Sequence, residues 1–253
     1  MEAIRPNWPA PPAVHGLVTT REGGVSLAPY LSLNLGDHVG DASDAVQANR
    51  KLLRNQLPSD PVWLKQVHGT AVSTPASRAL LDSNLIEADA AITNQANEVL
   101  VVMTADCLPI FFSNLSGDIV GVAHAGWRGL CAGILENTVT EMLALGTGSL
   151  PSHLMAWMGP AIGPNAFEVG EDVYEAFRDV QIHFPEDAFV AIPTRPGKYF
   201  ANLYILARSR LSALGIELIY GGNLCTLSDR KRFFSHRRDA KTGRFASLIW
   251  FNK

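Results

Sequence analysis

The hydrophobic pattern along the chain separates into stretches with a period near 3.6 and shorter runs of β character. Val46, Leu53 and Leu57 share one side of a segment that Asp41 or Ser43 can N-cap and that Pro58 follows, which predicts a helix to about residue 57. Residues 129–145 place Leu130, Ile134, Leu135, Val139, Met142 and Leu143 at helical spacing and end at Gly146. Residues 171–182 set Val173, Phe177 and Val180 behind an acidic first turn, and a fourth helix over 201–214 closes at Gly215. Nine short runs rich in Val, Ile, Leu and aromatic residues read as strands: 14–19, 62–67, 90–93, 99–103, 110–112, 119–123, 154–158, 216–220 and 245–250. Strands and helices do not alternate strictly. The expected class is therefore α/β of the α+β kind, with layered mixed β-sheets flanked by helices. Without internal repeats or a linker rich in Pro, Gly or Ser, residues 1–253 are expected to form a single domain.

Composition narrows the function classes. Hydrophobic residues make up 47% and charged residues 18% of the 253 positions, which excludes a disordered chain. The 21 Gly and 15 Pro follow no period, so a collagen-like protein is excluded too. The most apolar stretches, 99–104 and 108–112, fall far short of the ~20 residues of a membrane-spanning helix. The N-terminus has an early acid and no apolar run, unlike a secretory signal. Cys107, Cys131 and Cys225 are too few and odd in number for a disulfide framework, and the cytoplasm is the expected compartment.

Charge is unevenly spread. Residues 230–244 carry a net +6 in a chain of net charge −3, leaving −9 elsewhere. The interleaved Phe233, Phe234 and Phe245 argue that this block is packed, and it reads either as a solvated segment or as a pocket for a small anion. It is too short, in too acidic a chain, for a nucleic-acid surface.

Three residues stand where apolar runs end: His68 before Gly69, Cys107 after Ala105-Asp106, and His124 before Ala125-Gly126-Trp127-Arg128-Gly129. Strand ends on one side of a sheet are where α/β proteins assemble their sites. Two imidazoles and a thiolate suit Zn²⁺ and leave a fourth position open, the pattern of a catalytic zinc. No short motif joins them, however, so the residues alone leave three readings open: a zinc site, a Cys107–His124 nucleophile pair, or packed residues without chemistry. The turn through Gly126-Trp127-Arg128-Gly129 into a long helix also points backbone N–H groups and a guanidinium at one place, as anion sites do. The loops Thr19-Thr20-Arg21-Glu22-Gly23-Gly24-Val25-Ser26 and Met158-Gly159-Pro160-Ala161-Ile162-Gly163-Pro164 read as further pocket walls.

Taken in order, these blocks resemble one family. They are residues 19–26, Ser32-Leu33-Asn34-Leu35-Gly36, Gln66-Val67-His68-Gly69, Ala105-Asp106-Cys107-Leu108-Pro109, His124–Gly129, Gly159–Pro164 and Phe234-Ser235-His236-Arg237-Arg238-Asp239. They are similar to the signature of the bacterial purine nucleoside phosphorylases with a laccase domain, also called polyphenol oxidase or peptidoglycan editing factor. The resemblance runs across nearly the whole chain. It implies a zinc on His68, Cys107 and His124, phosphorolysis of adenosine, inosine and methylthioadenosine, and adenosine deaminase activity at the same site. For such chemistry Arg21, Arg128, Arg237 and Arg238 are candidate phosphate clamps and Ser26 and Asn34 neutral hydrogen-bonders, with Asp106 and Arg128 the candidate catalytic residues. Asp106 could orient a ligand's partner or move a proton. At Ala201-Asn202-Leu203 the chain departs from the pattern, and no role is assigned there.

The older label can be checked by counting. A multicopper oxidase needs about ten imidazoles in His-x-His blocks. Seven His with no His-x-His cannot build a trinuclear copper cluster, although a His₂Cys site could take up copper in vitro. The usual zinc-deaminase motif, His-x-Glu with Pro-Cys-x-x-Cys, is absent as well. The expected partners are purine nucleosides and phosphate, without nucleic acid or membrane, for a monomer or homodimer. The alternatives are a cysteine hydrolase or deamidase using Cys107 and His124, and a non-catalytic zinc protein that binds a cell-wall precursor.

Overall fold

The computed structural model describes residues 2–80, 86–146, 150–180 and 185–253. Two mixed sheets face each other. One runs Ala3–Ile4, Val14–Thr19, Phe245–Phe251, Val99–Thr104, Pro61–Val62, and the other Leu218–Gly221, Leu154–Met158, Leu108–Asn114, Val120–Ala125, Ala90–Thr93, Val72–Ser73. A three-stranded sheet (Glu168–Gly170, Lys198–Ala201, Phe189–Ala191) and the pair Leu64–Lys65 with Ile86–Glu87 complete them.

The strand alternation explains the stacking. In Val99–Thr104, Leu100 and Val102 enter the core between the sheets, where Phe111, Val120, Val122 and Trp157 meet them from the second sheet. Val99, Val101 and Met103 point the other way, against Leu53 and Leu57. The opposite face of the second sheet, with Ile110, Phe112 and Ala123, is covered by Leu130, Ile134, Val139, Leu206 and Leu211 from helices. Both sheets are thus covered on both faces, which is why their strands read as nearly unbroken apolar runs.

Several predicted bounds change. The first helix spans Ser43–Arg54, and its N-cap is Ala42 without a side-chain cap; the Asp41 carboxylate takes the Ala42 N–H instead. The single helix expected over 129–145 is two, Trp127–Ala132 and Ile134–Leu145, broken where Gly133 adopts φ 103°. The third helix is Glu171–Val180, and the last residues expected in it lie outside the described ones. The fourth is Leu203–Ala213, capped by Asn202, whose Oδ1 accepts from the Tyr204 and Ile205 N–H groups; this is the work of the residue left without a role. The run 62–67 divides into two short strands of different sheets.

Candidate metal centre and its pocket

Three segments converge where the chain passes from one sheet to the other. The link 105–107 joins Val99–Thr104 to Leu108–Asn114 and turns sharply, with Asp106 at φ 94°. His124 lies inside the Val120–Ala125 strand rather than after it, 3% exposed. His68 stands in the loop after Leu64–Lys65 at φ 60°. His68 Nε2 lies 3.7 Å from Cys107 Sγ, and one donor atom from each of His68, Cys107 and His124 falls within 4.8 Å of the others. Gly126 makes room for this approach, since a Cβ there would stand 2.8 Å from His68 Cδ2 and 3.1 Å from Cys107 Sγ.

One carboxylate organises the group. Asp89, fully buried, accepts the Val67, His68 and Gly69 backbone N–H groups at 3.1, 2.9 and 2.7 Å, and its Oδ1 lies 2.8 Å from His124 Nδ1. His124 therefore turns Nε2 toward Cys107. Gln66 clamps the same loop to the sheet edge, with Nε2 donating to the Met103 carbonyl and Oε1 accepting the Met103 N–H. Burial would raise the Cys107 thiol, but the His124 charge and hydrogen bonds from both imidazoles outweigh it and lower it to about 6. Burial likewise opposes charge on His124, yet Cys107 and Asp89 raise it to about 9. Both shifts favour a thiolate beside an imidazolium.

The donor set fits a zinc ion. Zn–N near 2.0–2.1 Å and Zn–S near 2.3 Å put tetrahedral ligand atoms roughly 3.5 Å apart, close to the 3.7 Å found between Sγ and Nε2. The Asp89 carboxylate behind His124 is the partner that metal-bound imidazoles take.

Two cavities meet at Ala105, Cys107 and His236. A slot of about 160 Å³ is walled by Trp127, Ile162, Phe167 and Leu203. A basin of about 380 Å³ on the ligand side is lined by His38, Gln66, Arg128, His236 and Arg244 and by no carboxylate. Arg237 reaches the slot and an outer groove of about 530 Å³.

Of the residues singled out in the sequence, Arg128 lines the basin, its guanidinium 4.4 Å from the Trp127 ring centroid. The structure gives the others internal partners. The Arg21 guanidinium donates to the Leu31 and Arg230 carbonyls and covers Phe234. Arg238 spends its guanidinium on the Thr226, Leu227 and Phe233 carbonyls and on Asp239. The Ser26 hydroxyl donates to Asp41, and Asn34 donates to Asp41 and the Gly36 carbonyl. Arg237 donates to the Glu168 carbonyl. Asp106 accepts Thr226 Oγ1, Ser235 Oγ and the Arg237 backbone N–H, and so fastens the short His236–Asp239 helix beside Cys107. Its three bonds make it a wall-builder rather than a partner of the ligands. The sequence reading missed Asp89, Gln66, His38 and Arg244. For Asp89 the available signal is a lone acid heading the apolar run Ala90-Ala91-Ile92.

A curated relative from Haemophilus influenzae named purine nucleoside phosphorylase is 52% identical over 258 residues, covering 99% of this chain and 100% of the relative. Escherichia coli purine nucleoside phosphorylase YfiH is 49% identical, with 98% of each chain covered. Among solved structures, Neisseria meningitidis protein NMB0706 matches with a TM-score of 0.90 at 45% identity, and YlmD from Geobacillus stearothermophilus with 0.90 at 32%; each match covers all of this chain and 100% and 97% of the other, respectively. The family model described as multi-copper polyphenol oxidoreductase laccase matches residues 15–252, and the chain belongs to that family.

Proposed function

We propose that the protein is a zinc-dependent purine nucleoside phosphorylase that also deaminates adenosine. The observation that carries this reading is the meeting of an apolar slot and a basic basin at Cys107, beside the His68–Cys107–His124 donor set. The names of its relatives supply the reaction class. In this reading the purine enters the slot between Trp127 and Phe167, where aromatic rings bury a flat base. Phosphate bonds to C1′ as the C1′–N9 bond breaks, and the bonding pair leaves on the purine, which takes up a proton. Charge builds on an oxocarbenium-like sugar, so anion and sugar must be held in line. Arg128 would supply the planar fork for the anion. A zinc ion held by His68, Cys107 and His124, which all line the basin, would supply Lewis-acid charge. Withholding phosphate should stop base release from inosine. Release that continues unchanged would leave only a hydrolytic activity.

A second reading rests on the Cys107 thiol, lowered to about 6 beside His124 as a cysteine nucleophile would be. The two readings differ in alkylation. In metal-free protein the iodoacetamide rate at Cys107 should reach half its maximum near pH 6, against about 8.5 for an ordinary thiol, because the reactive thiolate is the form above that pH. Zinc-loaded protein should resist until chelator is added. A thiol equally reactive with and without zinc would favour the hydrolase.

A further inference from the structure

Two arginines, Arg128 and Arg244, line the basin and keep donor groups unspent. Among the described residues Arg128 makes no hydrogen bond or ion pair, only its contact with the Trp127 ring. Arg244 donates from Nη1 to the Thr242 and Gly243 carbonyls, 3.2 and 3.1 Å away, and has no carboxylate partner. Nε and Nη2 of Arg244 are left without a partner. The negative groups near Arg244 are the Cys107 thiol and the Asp106 carboxylate, and the Asp106 oxygens are already taken by Thr226, Ser235 and the Arg237 backbone N–H.

Arg244 is also held in place through its backbone and stem. Its backbone N–H donates to Asn34 Oδ1 at 2.8 Å, and its carbonyl accepts the Leu35 N–H at 3.1 Å. Gly36 lies under its stem, and a Cβ there would come within 2.9 Å of Arg244 Cγ. Asn34 is fixed in turn by Asp41, which also takes the Ser26 hydroxyl. Thus the block Ser32–Gly36 aims an arginine from the far end of the sequence.

We infer that Arg244 and Arg128 together form the oxyanion subsite of this pocket, and that the anion it takes is inorganic phosphate rather than a phosphate ester. The assignment rests on the phosphorylase reading for the identity of the anion and on the basin alone for the existence of the subsite. Two guanidinium groups lining one basin from different segments match a tetrahedral oxyanion, since each can donate paired N–H bonds. Inorganic phosphate, arriving separately from the nucleoside, suits a basin that joins the slot only at Ala105, Cys107 and His236.

The test is calorimetric titration of zinc-loaded protein with inorganic phosphate, with adenosine, and with adenosine 5′-monophosphate. Arg128→Ala removes an exposed side chain that makes no hydrogen bond, and Arg244→Lys keeps charge and stem, so both variants should fold. Each should weaken phosphate binding, by about 10–150-fold for a lost charge-assisted bond, and leave adenosine affinity near wild type. Wild-type phosphate affinity in both variants, or an equal loss of adenosine affinity, would overturn the subsite. A monophosphate that binds more tightly than inorganic phosphate, and is lost in the same variants, would overturn the choice of anion. Phosphate binding that depends on these arginines, without any pentose phosphate product, would sustain the subsite and sink the phosphorylase reading. Product formation with an unchanged phosphate KM in both variants would do the reverse.

Discussion

Asp89 accepts four N–H groups with two oxygens, three of them consecutive backbone amides, and so fixes both the His68 loop and the His124 ring. An amide could not do this, because its NH₂ would face N–H donors. Asp89→Asn is therefore expected to weaken zinc binding by about 10–100-fold, the usual effect of removing the group behind a metal-bound imidazole. Competition with a chelating dye measures it, and wild-type affinity in the variant would contradict the role. The three donors were legible in the sequence because each ends or interrupts an apolar run at a position where chemistry is concentrated. Asp89 was not, because its contacts come from the meeting of Ala90–Thr93 with Val120–Ala125 and from a loop folded back onto that edge, and no spacing encodes either. Ser26 and Asn34 show the converse. A polar residue in a signature block can look like a ligand when its work is to hold another part of the wall.

Among the elements, strands whose two faces meet different cores were read well: Val14–Thr19, Ala90–Thr93 and Leu154–Met158 have the predicted bounds. The three-stranded sheet was not, since its strands run to three or four residues and carry exposed positions such as Val190. The helix break at Gly133 escaped the periodicity because Leu130 and Ile134 bury into the same core on either side of it. That break lets Trp127 and Arg128 ride on a six-residue helix, placed separately from Ile134–Leu145. At φ 103° a side chain is strained, so Gly133→Ala should destabilise the protein by about 1–2 kcal/mol. Urea unfolding checks this, and a variant at least as stable as wild type would show that the break is not needed.

For the molecule as a whole, the decisive feature is the crossing between its two sheets. The chain passes through 105–107 there, and that link brings Cys107 to His124 on one sheet and to the His68 loop at the edge of the other. The basic block is divided: Arg230 and Lys231 are exposed, while Arg244 lines the basin. All three donors line the basin, and Cys107 alone also lines the slot; in the proposed reading the base takes the slot and the anion the basin. In the proposed reaction inorganic phosphate takes the sugar from the purine in this pocket. The direct measurement is ³¹P NMR of zinc-loaded protein with inosine and phosphate. The expected result is a pentose 1-phosphate resonance that grows in step with free hypoxanthine and is lost in Cys107→Ala. Hypoxanthine appearing with free ribose and no new phosphorus resonance, or no turnover at all, would contradict it.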